Sequence, residues 1–399
     1  MFFWAVCFLG SLLNTASSAN YYVSSWFYCD YLSCILSLLV VTIVWVLLSS
    51  FWCNSGLNHL LMCLSCVFSI ISFFCANCLA FWFFYEGAIL FILFLLYSDS
   101  PYSDRFVAGW YLLGYTMFSG LPILVIFVYL GFTNGSFAVS SWMPNHVFLE
   151  MLLLVLFIVK IPLFPFHTWL PIVHAEASST TSVCLSGYIM KLGLVGLVRF
   201  GSMLIADSTV INVYFYCGLI SASLIFICSL EELDFKRWLA MLSLSHICIS
   251  VLCFLSSLLL GVKAGLVFGV GHGLSSAFFF LFIMFLGGLG GARNIGLSNM
   301  LGSWSSSTSV VYIFGFCLIA SFPPAINFFI EVWLVGIFYS SWWWVMLLLC
   351  YLFFSSLIPL SSLGFSFTRR LNSQSVGVTS TWLIVFYFLI IFNLLVVLI

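Results

Sequence analysis

Charge is the scarcest property of this sequence. Its 399 residues hold 10 Lys and Arg and 11 Asp and Glu, 5% of the chain, against 64% hydrophobic residues. The mean hydropathy is +1.26. A soluble domain is about one-quarter charged, so polar surface is too scarce to cover a water-facing globule of this length. A net charge of −1 leaves no basic footprint for nucleic acid. The stretch Met1 to Ser18 lacks a basic n-region and is followed by further apolar runs, so it reads as a first membrane helix rather than a signal peptide. No Cys/His cluster has zinc spacing. Most of the 15 cysteines lie inside apolar runs, where Cys behaves as a small hydrophobe. The glycine-rich stretch Gly287 to Gly296 has no preceding strand and no GxGxxG spacing, which excludes a dinucleotide loop. Abundant Phe, Leu and Ser point to a compositionally biased, organellar genome.

What the chain has instead is apolar runs of about 20 residues from end to end, which predict an all-α membrane protein. The backbone amides of such runs find partners only within the segment, and the runs are too long for barrel strands. About thirteen spans are expected, at roughly 2–18, 31–51, 57–75, 77–97, 109–131, 147–174, 176–204, 210–230, 236–258, 261–289, 307–340, 342–364 and 379–399. The sixth and eleventh are too long for one crossing. They carry Pro162, Pro165 and Pro171, and Pro323 and Pro324, so both are expected to break within the membrane. Arg105, the Lys236–Arg237 pair, Arg293 and the Arg369–Arg370 pair all follow even-numbered spans, whereas Lys263 lies at a helix lip. The positive-inside rule then puts the even loops and the N-terminus on the inner side. Five spans separate the two broken helices, which therefore cross in opposite directions. An inverted repeat needs such an odd offset, with one copy at about 57–204, the other at about 210–364, and a last helix at 379–399.

Most charged residues belong to loops and lips, but five ionisable residues cannot be placed there. Glu86 lies in FWFFYEGAILFILF, Lys160 directly before the first break, Lys191 in SGYIMKLGLVGLVRF, His272 in VFGVGHGLSSAFFF, and Glu331 after Pro324. An unpaired charge at the bilayer centre costs at least about 2.5–3.5 kcal/mol, so such residues face a paired or hydrated interior and mark ion paths. Proton affinities of buried Lys and Glu are tunable, and a Glu–Lys pair that opens and closes beside a flexible joint suits a proton pump. Three plainer readings stand beside this one. Glu86 and Lys160 form a static pair holding two helices together. His272 packs helices together, and His246 hydrogen-bonds a neighbouring helix. Arg199 snorkels to an interface. His167, His174 and Glu176 lie close in sequence, but the intervening prolines disrupt metal-ligand spacing.

The run VKIPLFPFHTWLPIVHAEASSTTS, from Val159 to Ser182, resembles the signature of the antiporter-like membrane subunits of respiratory complex I. Its continuation His174-Ala175-Glu176-Ala177 differs from the Asp-Ala-Met-Glu-Gly stretch of the subunit 5 branch and from the shorter subunit 2 version. YIMKLGLVGLVRF, DFKRWLAMLSLSHI, GHGLSSAFFF and SFPPAINFFIE follow in the family's order, so the resemblance covers about residues 80 to 340. It implies that Glu86 gates Lys160 and that Lys191 and His272 lie on a central hydrophilic axis. Lys236 matches the loop lysine near the start of a following helix, and Glu331 the terminal acid on the second broken helix. Ser178 stands where the family commonly has proline, and one N-terminal helix fewer is expected than is usual there.

The resemblance further implies a proton-translocating subunit that couples NADH:ubiquinone electron transfer to proton pumping, multi-pass in the mitochondrial inner membrane. The expected partners are lipids and other complex I membrane subunits, especially the antiporter-like chains 2 and 5. No cofactor is expected in this chain, since NADH, FMN, iron–sulfur clusters and ubiquinone belong to other subunits. The alternatives are a cation/proton antiporter subunit of the related family and a scaffold whose buried charges never titrate.

Overall fold

Apolar runs that meet no water must close their backbone hydrogen bonds internally, and the chain is helical almost throughout. The computed structural model describes residues 21–22, 26–50, 56–142, 147–201, 209–254, 259–290, 306–368 and 380–396. A two-residue hairpin of β1 (Tyr21–Tyr22) and β2 (Tyr28–Cys29) leads into α1 (Tyr31–Ser50), α2 (Gly56–Phe74), α3 (Cys78–Asp99) and α4 (Arg105–Thr133). The sixth expected span is two half-helices, α5 (Val147–Lys160) and α6 (Trp169–Glu176). The seventh runs from α7 (Ser179–Cys184) through a π turn, Leu185–Ile189, into α8 (Met190–Gly201). Then follow α9 (Thr209–Ser229), α10 (Phe235–Phe254) and α11 (Leu259–Gly290). The eleventh span is again halved, into α12 (Ser306–Ile319) and α13 (Ile326–Ile337), before α14 (Trp342–Thr368) and α15 (Ser380–Leu395). Twelve of the expected spans thus have a counterpart, and both breaks fall at the expected prolines. The span at 2–18 and the residues Arg293, Arg369 and Arg370 lie outside the described residues. Among the described residues, nine helices are long and apolar enough to cross a membrane.

Two polar clusters show that the spans alternate as counted. The ends of α2, α3, α6 and α7 that meet even-numbered loops come together. Asn58 donates Nδ2 to Asp99 Oδ1 at 2.9 Å, Thr180 donates to Asp99 Oδ2 at 2.6 Å, and Ser100 Oγ donates to the Glu176 carbonyl at 2.5 Å. The opposite, odd-numbered ends meet around Arg199. Its guanidinium donates to the Phe73 and Cys75 carbonyls at the C-terminus of α2, lies 3.6 Å from Asp30, and covers the Tyr28 ring at 4.3 Å. Arg199, expected to snorkel to an interface, thus lies at the ends of the spans, and its side chain is only 4% exposed because it meets the carbonyls left over at a helix end.

Proline alone does not break a helix here. Pro122 and Pro359 lie inside continuous α4 and α14, and Pro171 occupies the first turn of α6, where the missing amide costs nothing. Glycines let the first broken helix approach its neighbour: a Cβ on Gly196 would run into the Phe157 ring, and one on Gly193 would lie 3.5 Å from the Lys160 carbonyl carbon. The core is continuous through both halves, with α8, α10 and α11 forming its centre.

Removing the Arg199 head strands two helix-end carbonyls and takes the counter-charge from Asp30, which keeps the Ser33 amide. Arg199→Gln is expected to cost about 2–3 kcal/mol, read as a lower denaturation midpoint of the purified protein, whereas Arg105→Gln, whose guanidinium holds one carbonyl, Ser100 O, shifts the midpoint far less.

Candidate functional site

Lys160 is the last residue of α5, where the leftover carbonyls make the helix end negative and favour a cation. Its ammonium donates to Glu86 Oε1 and faces the Tyr85 ring at 4.2 Å. The Lys160 side chain is 2% exposed and that of Glu86 16%. Glu86 projects from the middle of α3 toward α4, which makes room with Gly120: a Cβ there would overlap the Glu86 carboxylate. Trp82, one turn before Glu86, donates its indole N–H to the Gly120 carbonyl at 2.8 Å and so ties the two helices at that point. A cavity of about 10 Å³ beside Lys160, lined by Tyr85, Tyr115, Thr116 and Trp169 among others, offers about the volume that one water centre needs.

Lys191 follows the π turn by two residues and is fully buried. Its ammonium donates to the Ser186 carbonyl at 2.5 Å, inside that turn. A π turn widens the helix and commonly marks a functional position. On α11 a Cβ at Gly269 would lie 4.0 Å from Lys191 Cγ, and His272, three residues on, shares that face. His272 is buried, and its ring centroid lies 5.9 Å from that of His246. His246 in turn bonds the Tyr351 hydroxyl through Nδ1 at 2.9 Å. The hydrogen bond to a neighbouring helix expected of His246 is thus present, and its partner, Tyr351, enters the site unforeseen. A tyrosine in an aromatic-rich span gives no sequence signal to separate it from its neighbours.

The second break mirrors the first with the sign of charge reversed. Glu331 lies in α13, the half-helix whose positive, N-terminal end faces the break. It is 3% exposed and accepts from Ser321 Oγ at 2.9 Å. Ser321 occupies the break itself with φ of 50°, a left-handed conformation uncommon for a non-glycine residue.

Lys236 opens α10, is 3% exposed, and donates Nζ to the Ala177 carbonyl at 2.6 Å. It therefore holds the far end of α6, and the Tyr102 ring lies 5.1 Å from its ammonium. Ser178, standing at the family's proline position, caps α7: its Oγ accepts from the Thr181 amide at 3.3 Å, and its φ of −61° is one a proline also adopts. His174 is buried and stacks on Phe280 at 4.8 Å, whereas His167 lies half-buried against Phe164. Among the described residues no group of three His, Cys, Asp or Glu could hold a metal ion.

A polytopic helical bundle with two interrupted helices and several buried ionisable residues has the architecture of the antiporter-like membrane subunits. The sequence profile of the family described as NADH:quinone oxidoreductase/Mrp antiporter, TM matches residues 75–358, and the chain belongs to that family. Two similar relatives are named NADH-ubiquinone oxidoreductase chain 4. The one from Rhipicephalus sanguineus is 31% identical over 277 residues, 67% of this chain and 62% of that protein. The one from Ceratitis capitata is 30% identical over 319 residues, 78% of this chain and 71% of that protein. The match thus spans less than two-thirds of the tick protein. Of solved structures, a chain of respiratory complex I from Thermus thermophilus superposes with a TM-score of 0.84 at 20% identity, covering 93% of this chain and 81% of that one. A chain of the Mrp complex from Dietzia sp. DQ12-45-1b gives 0.75 at 16% identity, with 94% and 76% covered. At these identities the superpositions speak for the fold alone.

Breaking the Glu86–Lys160 pair from one side leaves a buried charge, whereas removing both does not. Glu86→Gln is expected to cost about 3 kcal/mol, and Glu86→Gln combined with Lys160→Met to recover most of it. Denaturation midpoints of the two variants check this; a double variant less stable than the single one contradicts it.

Proposed function

We propose that this chain is a proton-translocating membrane subunit of a respiratory NADH:ubiquinone oxidoreductase, resident in the mitochondrial inner membrane. The observation that carries the reading is the Lys160–Glu86 pair at the end of an interrupted helix, with Lys191, His272 and Glu331 buried beyond it. Curated relatives named NADH-ubiquinone oxidoreductase chain 4 support it. Protons pass in the order Glu86, Lys160, Lys191, His272, Glu331. Lys236 stands at the inner-side end of α6, where it holds the half-helix and adjusts its position. The chain works between other membrane subunits of the complex, with chains 2 and 5 as neighbours and with lipid around it. It carries no redox cofactor of its own, since NADH, FMN, iron–sulfur clusters and ubiquinone are held elsewhere in the assembly. The two repeats are residues 57–204 and 210–364, followed by the helix at 379–399.

The step performed by this chain is electrostatic. While Glu86 stays on Lys160, the ammonium is held at the carbonyl end of α5 and keeps its proton. Withdrawal of the carboxylate leaves that charge in a nearly dry site, which favours passing the proton inward along the polar line. The half-helix joint lets α5 and α6 move relative to each other without breaking a continuous ladder of hydrogen bonds.

The second reading, a cation/proton antiporter subunit, draws on the Mrp half of the family description. Purification decides between them: the proposed subunit comes out with NADH-dependent quinone reduction, an antiporter without it. In the assembled complex, Lys160→Ala and Glu86→Ala are each expected to lower coupled quinone reduction by roughly tenfold and to lower the proton-to-electron ratio, with assembly retained. An unchanged ratio in both variants rules the proton path out.

A further inference from the structure

The second interrupted helix carries a buried amide that the line of charges does not use. Asn327 lies in the first turn of α13, four residues before Glu331, so the two side chains share one helix face. Asn327 is 2% exposed, and its Oδ1 has no hydrogen-bond partner among the described residues. That oxygen rests against the bare Cα of Gly271, where a Cβ would overlap it. Gly271 directly precedes His272. From a different helix, α15, Asn393 donates Nδ2 to the Gly271 carbonyl at 3.1 Å. Asn393 is also 2% exposed, and its Oδ1 is likewise unpartnered among the described residues. The same holds for His272 Nε2.

Two amides from two helices therefore flank one glycine, each with an acceptor oxygen buried and unused, beside a histidine nitrogen in the same condition. Buried acceptors are nearly always satisfied, by protein or by ordered water, and an amide oxygen accepts up to two hydrogen bonds. Gly271 lacks the Cβ that would meet Asn327 Oδ1 and the Ile326 Cγ2 methyl, so the amide oxygen comes up against the backbone beside His272.

We propose that Asn327 and Asn393 bind water at Gly271, and that this hydrated site passes protons between His272 and Glu331. The inference rests on the proton-path reading above. The ligand is water and, in transit, its protonated form. In each transfer the water gains a proton from one neighbour and gives one up to the next, so one O–H bond forms and one breaks while both amides stay unchanged. Asn327 and Asn393 are thus positioning residues: they titrate nothing and hold the water in line. Asn327, on the face of Glu331, supplies the onward direction, and Asn393 anchors α15 to the axis.

The test uses the assembled complex and reads the proton-to-electron ratio, which does not depend on how much complex assembles. Asn327→Leu and Asn393→Leu are expected to lower the ratio as far as Glu331→Gln does, and Asn327→Ser, which keeps an acceptor, to retain most of the wild-type value. An experimental map of the complex is expected to show ordered water within hydrogen-bond distance of both amide oxygens. A wild-type ratio in both leucine variants, with Glu331→Gln lowering it, overturns the site while leaving the proton path intact. So does a loss confined to Tyr351→Phe, which would route the proton through the His246–Tyr351 hydrogen bond instead. An unchanged ratio in Glu331→Gln removes the proton path and this site with it.

Discussion

A helix interrupted inside hydrocarbon leaves carbonyls and amides that no water reaches, and the rest of this structure is arranged around meeting that cost. At the first break, Lys160 lies at the carbonyl end of α5 and takes its counter-charge from Glu86. At the second, Glu331 lies in the second turn of α13 and accepts from Ser321 in the break itself. The sign of each charge suits the helix end it faces. Both breaks thereby place a buried charge where helix-end groups lie close by.

Around these two points the packing is close where position matters. Gly120 clears space for the Glu86 carboxylate, Gly193 and Gly196 bring α8 against α5, and Gly271 brings two amides to the axis. Away from the axis the demands relax. The π turn before Lys191 and the tyrosine–histidine bond at Tyr351 spread polar groups through the interior, whereas the outer faces of α4 and α14 present exposed Trp, Phe and Leu. Lys236 and Arg199 hold opposite ends of the bundle, each by donating to the carbonyls of a helix terminus or the residue just past it.

Much of this was legible in the sequence because lipid enforces simple rules. A lone Lys or Glu in an apolar run stands out, so Glu86, Lys160, Lys191 and Glu331 could be picked out without a structure. The alternation of spans followed from a few loop charges, and the Asn58–Asp99–Thr180 and Arg199 clusters bear that alternation out. Uncharged polar residues were not legible. Asn327, Asn393 and Tyr351 sit in apolar helices where one amide or hydroxyl leaves no periodic trace, and only three-dimensional neighbours reveal what their polar atoms meet. Nor could sequence separate prolines that break a helix from Pro122 and Pro359, which do not; the breaks cluster several prolines together. The partners of Arg199 were hidden for a related reason: the two carbonyls at the end of α2 lie more than a hundred residues away.

The central claim is that the Glu86–Lys160 pair changes state as protons move, rather than serving as a fixed strut. Infrared difference spectra between the resting complex and the complex turning over on NADH test it directly, with the Glu86 band identified by its disappearance in Glu86→Gln. A reversible change in that carboxyl band during turnover is the predicted result. A band that stays constant in a complex that is pumping protons would contradict it.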